Sequence, residues 1–373
     1  MRPLSTRAVV VLATFAGLIL TAAGCGAERA ATGSGVSPGA DFIDVLSADL
    51  TGNRHGLSLV VVGNVRGEPS GSQVARVYTR TATSEWRRAP GFERSLAPGN
   101  PVSITERGPC VGFESKPRGR VLACLRAGAW REVATAGLPP RPARLLKLSG
   151  FDGELWAVLK TRDRIAVFRL RDGRWRRVGT ALPTDRAIAA VGEGPRTRGM
   201  VDVALANVAT GERVLWTLAG GRWRRHAPLR GTGGGPMPGG PTRLGSRIYL
   251  PVIDAFIEPW KLSVHVLEHR TWRATGDPLN RGAGNAQGVV RAAGDAIWAS
   301  WQESAPRDDG LFDTHMYVQQ VAPGLGPARA VWAGSSIGPG SIETVQAAGR
   351  LWVLYLPAAK GRKALSVAVQ PLR

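Results

Sequence analysis

The stretch DGRWRRVGTAL, residues 172–182, combines a turn dipeptide, a tryptophan hemmed by arginines and an alternating tail. Asp-Gly between two apolar runs signals a tight hairpin, because that turn needs positive φ at both central positions. Working outward, strands are expected at 143–148, 154–160, 164–171 and 174–180. Four short strands with tight turns in under 45 residues make one antiparallel unit.

The unit recurs. SEWRRAPGF surrounds Trp86, GAWREVATAGL Trp130, GGRWRRHAPL Trp223, HRTWRATGDPL Trp272 and, in degenerate form, RAVWAG Trp332. With Trp175 these tryptophans are spaced 44, 45, 48, 49 and 60 residues apart. Strand-rich repeats of about 40–50 residues are the period of β-propeller blades. A second aromatic recurs in the second strands, at Trp156, Tyr249, Trp298 and Trp352. Its expected job is packing between sheets. The expectation is an all-β propeller over residues 41–373. Seven blades are drafted at 41–97, 100–139, 141–183, 186–230, 241–280, 285–335 and 341–373, six being the alternative. The last draft blade has strands at 342–347, 351–356 and 365–370 and no Trp hairpin. Its missing outer strand would come from the N-terminal side, although 26–40 is poor in strand formers.

The 373 residues hold 49 Lys+Arg against 28 Asp+Glu, a formal charge of +21, and 43% apolar residues. The apolar share suffices for a large core. Three cysteines exclude a disulfide-dense scaffold and a four-thiolate zinc site. Arginines follow the repeat tryptophans: Arg87-Arg88, Arg131, Arg176-Arg177, Arg224-Arg225 and Arg273. On outer strands these charges discourage edge-to-edge pairing and would attract anionic envelope polymers or lipid headgroups. Nucleic acid is not an expected partner.

At the N-terminus, Arg2 and Arg7 precede an apolar run at 8–21 and then Ala22-Ala23-Gly24-Cys25. A basic start, a short apolar core and small residues form an export signal. The segment resembles the lipobox of bacterial lipoproteins, with Ala22 where leucine is usual. That resemblance implies removal of 1–24, acylation of Cys25 and anchoring at the extracytoplasmic face of the cell membrane. An uncleaved anchor, or cleavage without lipidation, is the alternative. Residues 25–40 read as a flexible tether. Losing Arg2 and Arg7 lowers the formal charge by two.

Cys110 and Cys124 then remain as a pair, with Pro117 at their midpoint. A hairpin turning there sets them opposite one another, so a structural disulfide is expected. Metal chemistry is thinly supported. His265 and His269 lack a compact zinc pattern, whereas ESAPRDDGLFDTH at 303–315 reads as a long loop. There Asp308, Asp309 and Asp313 form a candidate calcium or recognition site. GTGGGPMPGGP at 231–241 lacks the Lys-Ser/Thr ending of a phosphate loop. No cofactor is expected, and no GxSxG elbow or other catalytic signature appears.

The Gly-bounded second strand followed by a tryptophan resembles kelch-type propellers, including the central domain of galactose-oxidase-like proteins. The chain departs from kelch in lacking Gly-Gly doublets, and it has no Asp-box of the sialidase type. The expected function is a membrane-anchored binding or scaffolding module. The alternative is a glycan-active hydrolase or lyase with its site at the central mouth.

Overall fold

In the computed structural model, the described residues are Pro38 and 42–371, apart from 54–55, 66–72, 82–83, 97–102, 106–107, 116–118, 127–128, 141, 152–153, 185–187, 193–198, 208–209, 231–238, 257, 283, 337–340, 348–349 and 357–367. The chain divides into two units, Met1–Gly33 and Ser34–Arg373. The export segment, Cys25 and the tether, apart from Pro38, lie outside the described residues.

Among the described residues the second unit holds six four-stranded antiparallel sheets and one three-stranded sheet, each built from consecutive strands. The third sheet shows the logic. Its strands are Arg144–Phe151, Glu154–Lys160, Arg164–Arg171 and Arg174–Pro183. The Asp172-Gly173 turn has φ of 51° and 71°, the left-handed pair that the dipeptide foretold. Glu154–Lys160 is buried throughout its middle. Trp156 and Val158 face the next sheet, and Leu155, Ala157 and Leu159 the preceding one. A strand covered on both faces must be apolar along its length, and this accounts for the continuous hydrophobic runs in the second strands.

The other sheets span Phe42–Leu96, Ser103–Val133, Ile188–Arg225, Thr242–Ala274, Asn285–Ser336 and Ser341–Pro371. Apolar seams join neighbours in chain order. Val60 and Val77 of the first sheet meet Val121 and Ala123 of the second. Leu122 of the second meets Leu145 and Trp175 of the third, and Val167 of the third meets Val203 and Leu218 of the fourth. Leu215 packs on Leu250, Val264 on Trp301, and Met316 on Val353, carrying the sequence to the last sheet. Trp352 and Leu354 of that sheet then pack on Leu57, Tyr78 and Trp86 of the first. Sheets stacked in sequence, the last against the first, make a β-propeller.

The last sheet and the acidic segment complete the description. The last sheet has the strands Ser341–Ala347, Arg350–Leu356 and Ala368–Pro371, and among the described residues no N-terminal strand joins it. Side-chain packing joins it to the first sheet, and the N-terminal segment expected to complete it, apart from Pro38, lies outside the described residues. Residues 303–315 are not a long loop. They are mostly the ends of Ala296–Pro306 and Phe312–Ala322, paired through Pro306↔Phe312 around a short turn. The enlarged tryptophan interval reflects two 11-residue strands rather than an insertion. The charged residues misled because alternate positions of a strand can be solvated.

Candidate functional site

Antiparallel alternation places the turns between second and third strands, and the linkers from sheet to sheet, at one end of every sheet. At that end the fifth and sixth sheets carry a connected set of polar and aromatic side chains. The turn after Arg247–Asp254 is moored by asparagines of the linker and following strand. Trp260 N donates to Asn285 Oδ1 at 2.7 Å, and Asn280 Nδ2 donates to Trp260 O at 2.9 Å. Asn280 Oδ1 accepts from Leu262 N at 3.0 Å. Phe256 stands out of this moored turn with 67% of its surface exposed, its N–H donating to Asp254 Oδ1.

Glu303 fixes the neighbouring linker. Its carboxylate is buried and accepts from Arg281 N at 2.6 Å, Gly282 N at 2.7 Å and Trp301 Nε1 at 2.9 Å. A carboxylate with several N–H donors is satisfied without a counter-ion, so burial is tolerated. Tyr317 stacks on Trp301 with ring centroids 5.3 Å apart, and His315 stacks on Tyr317 at 6.2 Å. Burial and the Glu303 charge raise the Tyr317 phenol above its ordinary pKa, against the opposing pull of Arg281.

The acidic turn of the sixth sheet belongs to the same end. Arg307 donates to Asp313 Oδ1 at 3.0 Å and to Asp309 Oδ2 at 3.1 Å. Asp309 Oδ1 also accepts from Leu311 N, and Asp308 is exposed. Two of the three expected calcium ligands, Asp309 and Asp313, thus converge on a guanidinium. Among the described residues no group of three or more His, Cys, Asp or Glu is placed to hold a metal ion.

Two polar clusters that lack a local sequence signal lie in the seam between the fourth and fifth sheets. Arg243 forms a bidentate pair with Asp202, at 2.9 Å to Oδ2 and 2.7 Å to Oδ1. Thr217 Oγ1 donates to Asp202 Oδ1 and lies 2.9 Å from His226 Nε2. With the hydroxyl proton committed to Asp202, His226 Nε2 must be the donor. Burial chiefly, then Arg224, depresses the His226 pKa below its ordinary value, with Asp202 opposing and Arg243 adding to the depression. Nearer the loop end, fully buried Arg213 donates to Gly211 O and Ile253 O, each at 3.0 Å. Asp202–Arg243 and Arg213–Ile253 are separated by 41 and 40 residues. A search for complementary polar residues one blade apart would have found the first pair.

Of the other expected sites, Cys110 and Cys124 are directly opposite in register and bonded, with an S–S distance of 2.05 Å. The turn of their hairpin, 116–118, is outside the described residues, as is 231–238. Most of the repeat tryptophans serve the seams. Trp175 Nε1 donates to Ala134 O at 2.8 Å, Trp223 Nε1 to Thr180 O at 2.9 Å and Trp272 Nε1 to Ala227 O at 2.7 Å. Each acceptor lies just beyond the tryptophan of the preceding sheet. Gly179 permits this approach, since a Cβ there would fall 2.2 Å from Gly221 O.

No family model and no curated protein matches the sequence. Solved structures do match in shape. The β-propeller domain of the Trilobed protease from Pyrococcus furiosus, described as having an open velcro topology, aligns with a TM-score of 0.53 and 9% identity over 88% of this chain and 92% of that one. Pyrococcus horikoshii acylaminoacyl peptidase aligns with a TM-score of 0.51 and 10% identity, over 87% of this chain and 52% of the peptidase. The chain therefore spans about half the length of that enzyme. A fucose-specific lectin from Aleuria aurantia gives a TM-score of 0.47 at 10% identity, over 88% of this chain and 91% of the lectin. The likeness is one of fold alone.

Proposed function

We infer that the chain is a membrane-tethered extracytoplasmic binding or scaffolding module of the bacterial envelope. The Cys25 lipid would hold it at the membrane, and the propeller would present the end bearing second-to-third turns and linkers to a protein, glycan or small molecule. The observation that carries this reading is Phe256, exposed on a turn that Asn280 and Asn285 hold in place. Variable turns on a rigid frame are the usual setting for recognition, and an aromatic held in advance loses little entropy on contact.

The test uses a panel of cell-envelope glycans and proteins, measuring binding and turnover together. Binding without turnover, weakened by Phe256→Ser, supports the reading. Turnover of any glycan replaces it with the hydrolase or lyase alternative. For the tether, Cys25→Ser should shift the protein from the membrane fraction to the soluble fraction, and unchanged retention would defeat that assignment.

A further inference from the structure

The arginines flanking the repeat tryptophans are not equivalent in the folded chain. On the fifth sheet, Arg273 pairs with Glu268 at 2.9 Å, and Glu268 also takes Arg247 at 2.7 Å. At the end of the fourth sheet's outer strand, Glu212 lies 3.9 Å from Arg225 and 3.2 Å from Arg230. The remaining positions differ. Arg131, Arg174, Arg176, Arg177, Arg222 and Arg224 are all exposed, and none has an ion pair among the described residues. They sit on the outer strands Ala129–Val133, Arg174–Pro183 and Arg222–Arg225, where the acidic residue is Glu132.

These three strands are locked edge to edge. Trp175 donates through its indole to Ala134 O and through its backbone N–H to Ala136 O at 2.9 Å, and Trp223 reaches Thr180 O. The result is a run of exposed arginines, a basic band, on the outer strands of three consecutive blades. We propose that this band binds a flexible linear polyanion of the envelope, an acidic polymer carrying phosphodiester or carboxylate groups. Guanidinium groups match both oxyanions in bidentate fashion. Outer strands follow the convex circumference of the ring, so a flat bilayer would touch along one tangent, whereas a flexible chain can follow the band from blade to blade.

Labelled poly(glycerol phosphate) and polyglutamate, titrated into the purified full chain, test the proposal by anisotropy. Counter-ion release from these arginines would weaken binding by roughly 100-fold between about 50 and 200 mM salt. The triple variant Arg174→Gln, Arg176→Gln, Arg222→Gln should lose about tenfold or more in affinity. Removing the same charge at Arg162, Arg270 and Arg350, exposed residues off the band, should cost less than about threefold. The two polymers distinguish phosphate from carboxylate recognition, and band-dependent binding of either supports the proposal. Equal loss from both triple variants, or no binding at low salt, overturns it. So does band-dependent binding to phosphatidylglycerol vesicles without polymer binding, which would make the partner a membrane.

Discussion

The indole N–H of Trp223 donates to the carbonyl of Thr180 across the seam between the third and fourth sheets, 43 residues away in the chain. The same bond recurs from Trp175 and Trp272. In these three outer hairpins the tryptophan therefore joins its own blade to the one before. Trp223→Phe keeps a large aromatic ring and removes the donor. It should lower stability by about 1 kcal/mol, the net worth of one such bond. Urea unfolding checks this, and an unchanged midpoint would show that the bond contributes nothing.

The Asp202–Arg243 pair is almost wholly withdrawn from water, with side-chain exposures of 9% and 11%. Asp202→Ala strands a guanidinium in the seam and should cost about 3 kcal/mol or more. Adding Arg243→Leu should recover a large part, because no buried charge then lacks a partner. A double variant no better than the single would contradict this.

Acidification should destabilise the propeller through two histidines. Burial lowers the His226 pKa, reinforced by Arg224, and burial lowers that of His265, with Arg213 adding to it. A depressed folded-state pKa means that the unfolded chain takes up protons first. Stability from these groups is complete above about pH 7 and falls as pH drops through the ordinary histidine range near 6.5. The unfolding midpoint should decline between pH 7 and 5, and His226→Gln with His265→Gln should flatten that slope.

The outer hairpin of the fifth sheet turns on His269 and Arg270, with φ of 48° and 70°. The equivalent turns use Asp172-Gly173 and Gly220-Gly221, which suit left-handed backbone better. Arg270→Gly should raise stability by about 0.5–1 kcal/mol, read as a higher melting temperature.

What could be read in the sequence was whatever is local. The Glu154–Lys160 and Arg164–Arg171 strands fall where alternation and the Asp-Gly turn put them. The Cys110–Cys124 bond follows from a hairpin centred on its midpoint. The Asp202–Arg243 pair was hidden because its partners, 41 residues apart on adjacent sheets, meet only when the two sheets pack. Glu303 was misplaced in a loop because a buried carboxylate satisfied by backbone N–H groups looks, in sequence, like any solvated one. The arginine repeats were visible, but Glu212 and Glu268 decide which of them stay uncompensated, and that depends on strand pairing.

The three-stranded last sheet meets the first through Trp352, Leu354, Leu57 and Trp86. Those side chains form an apolar joint between the last sheet and the first. Blades inserted or deleted during gene duplication would have to preserve the matching apolar faces at that joint. The same joint is where thermal opening of the disc should begin.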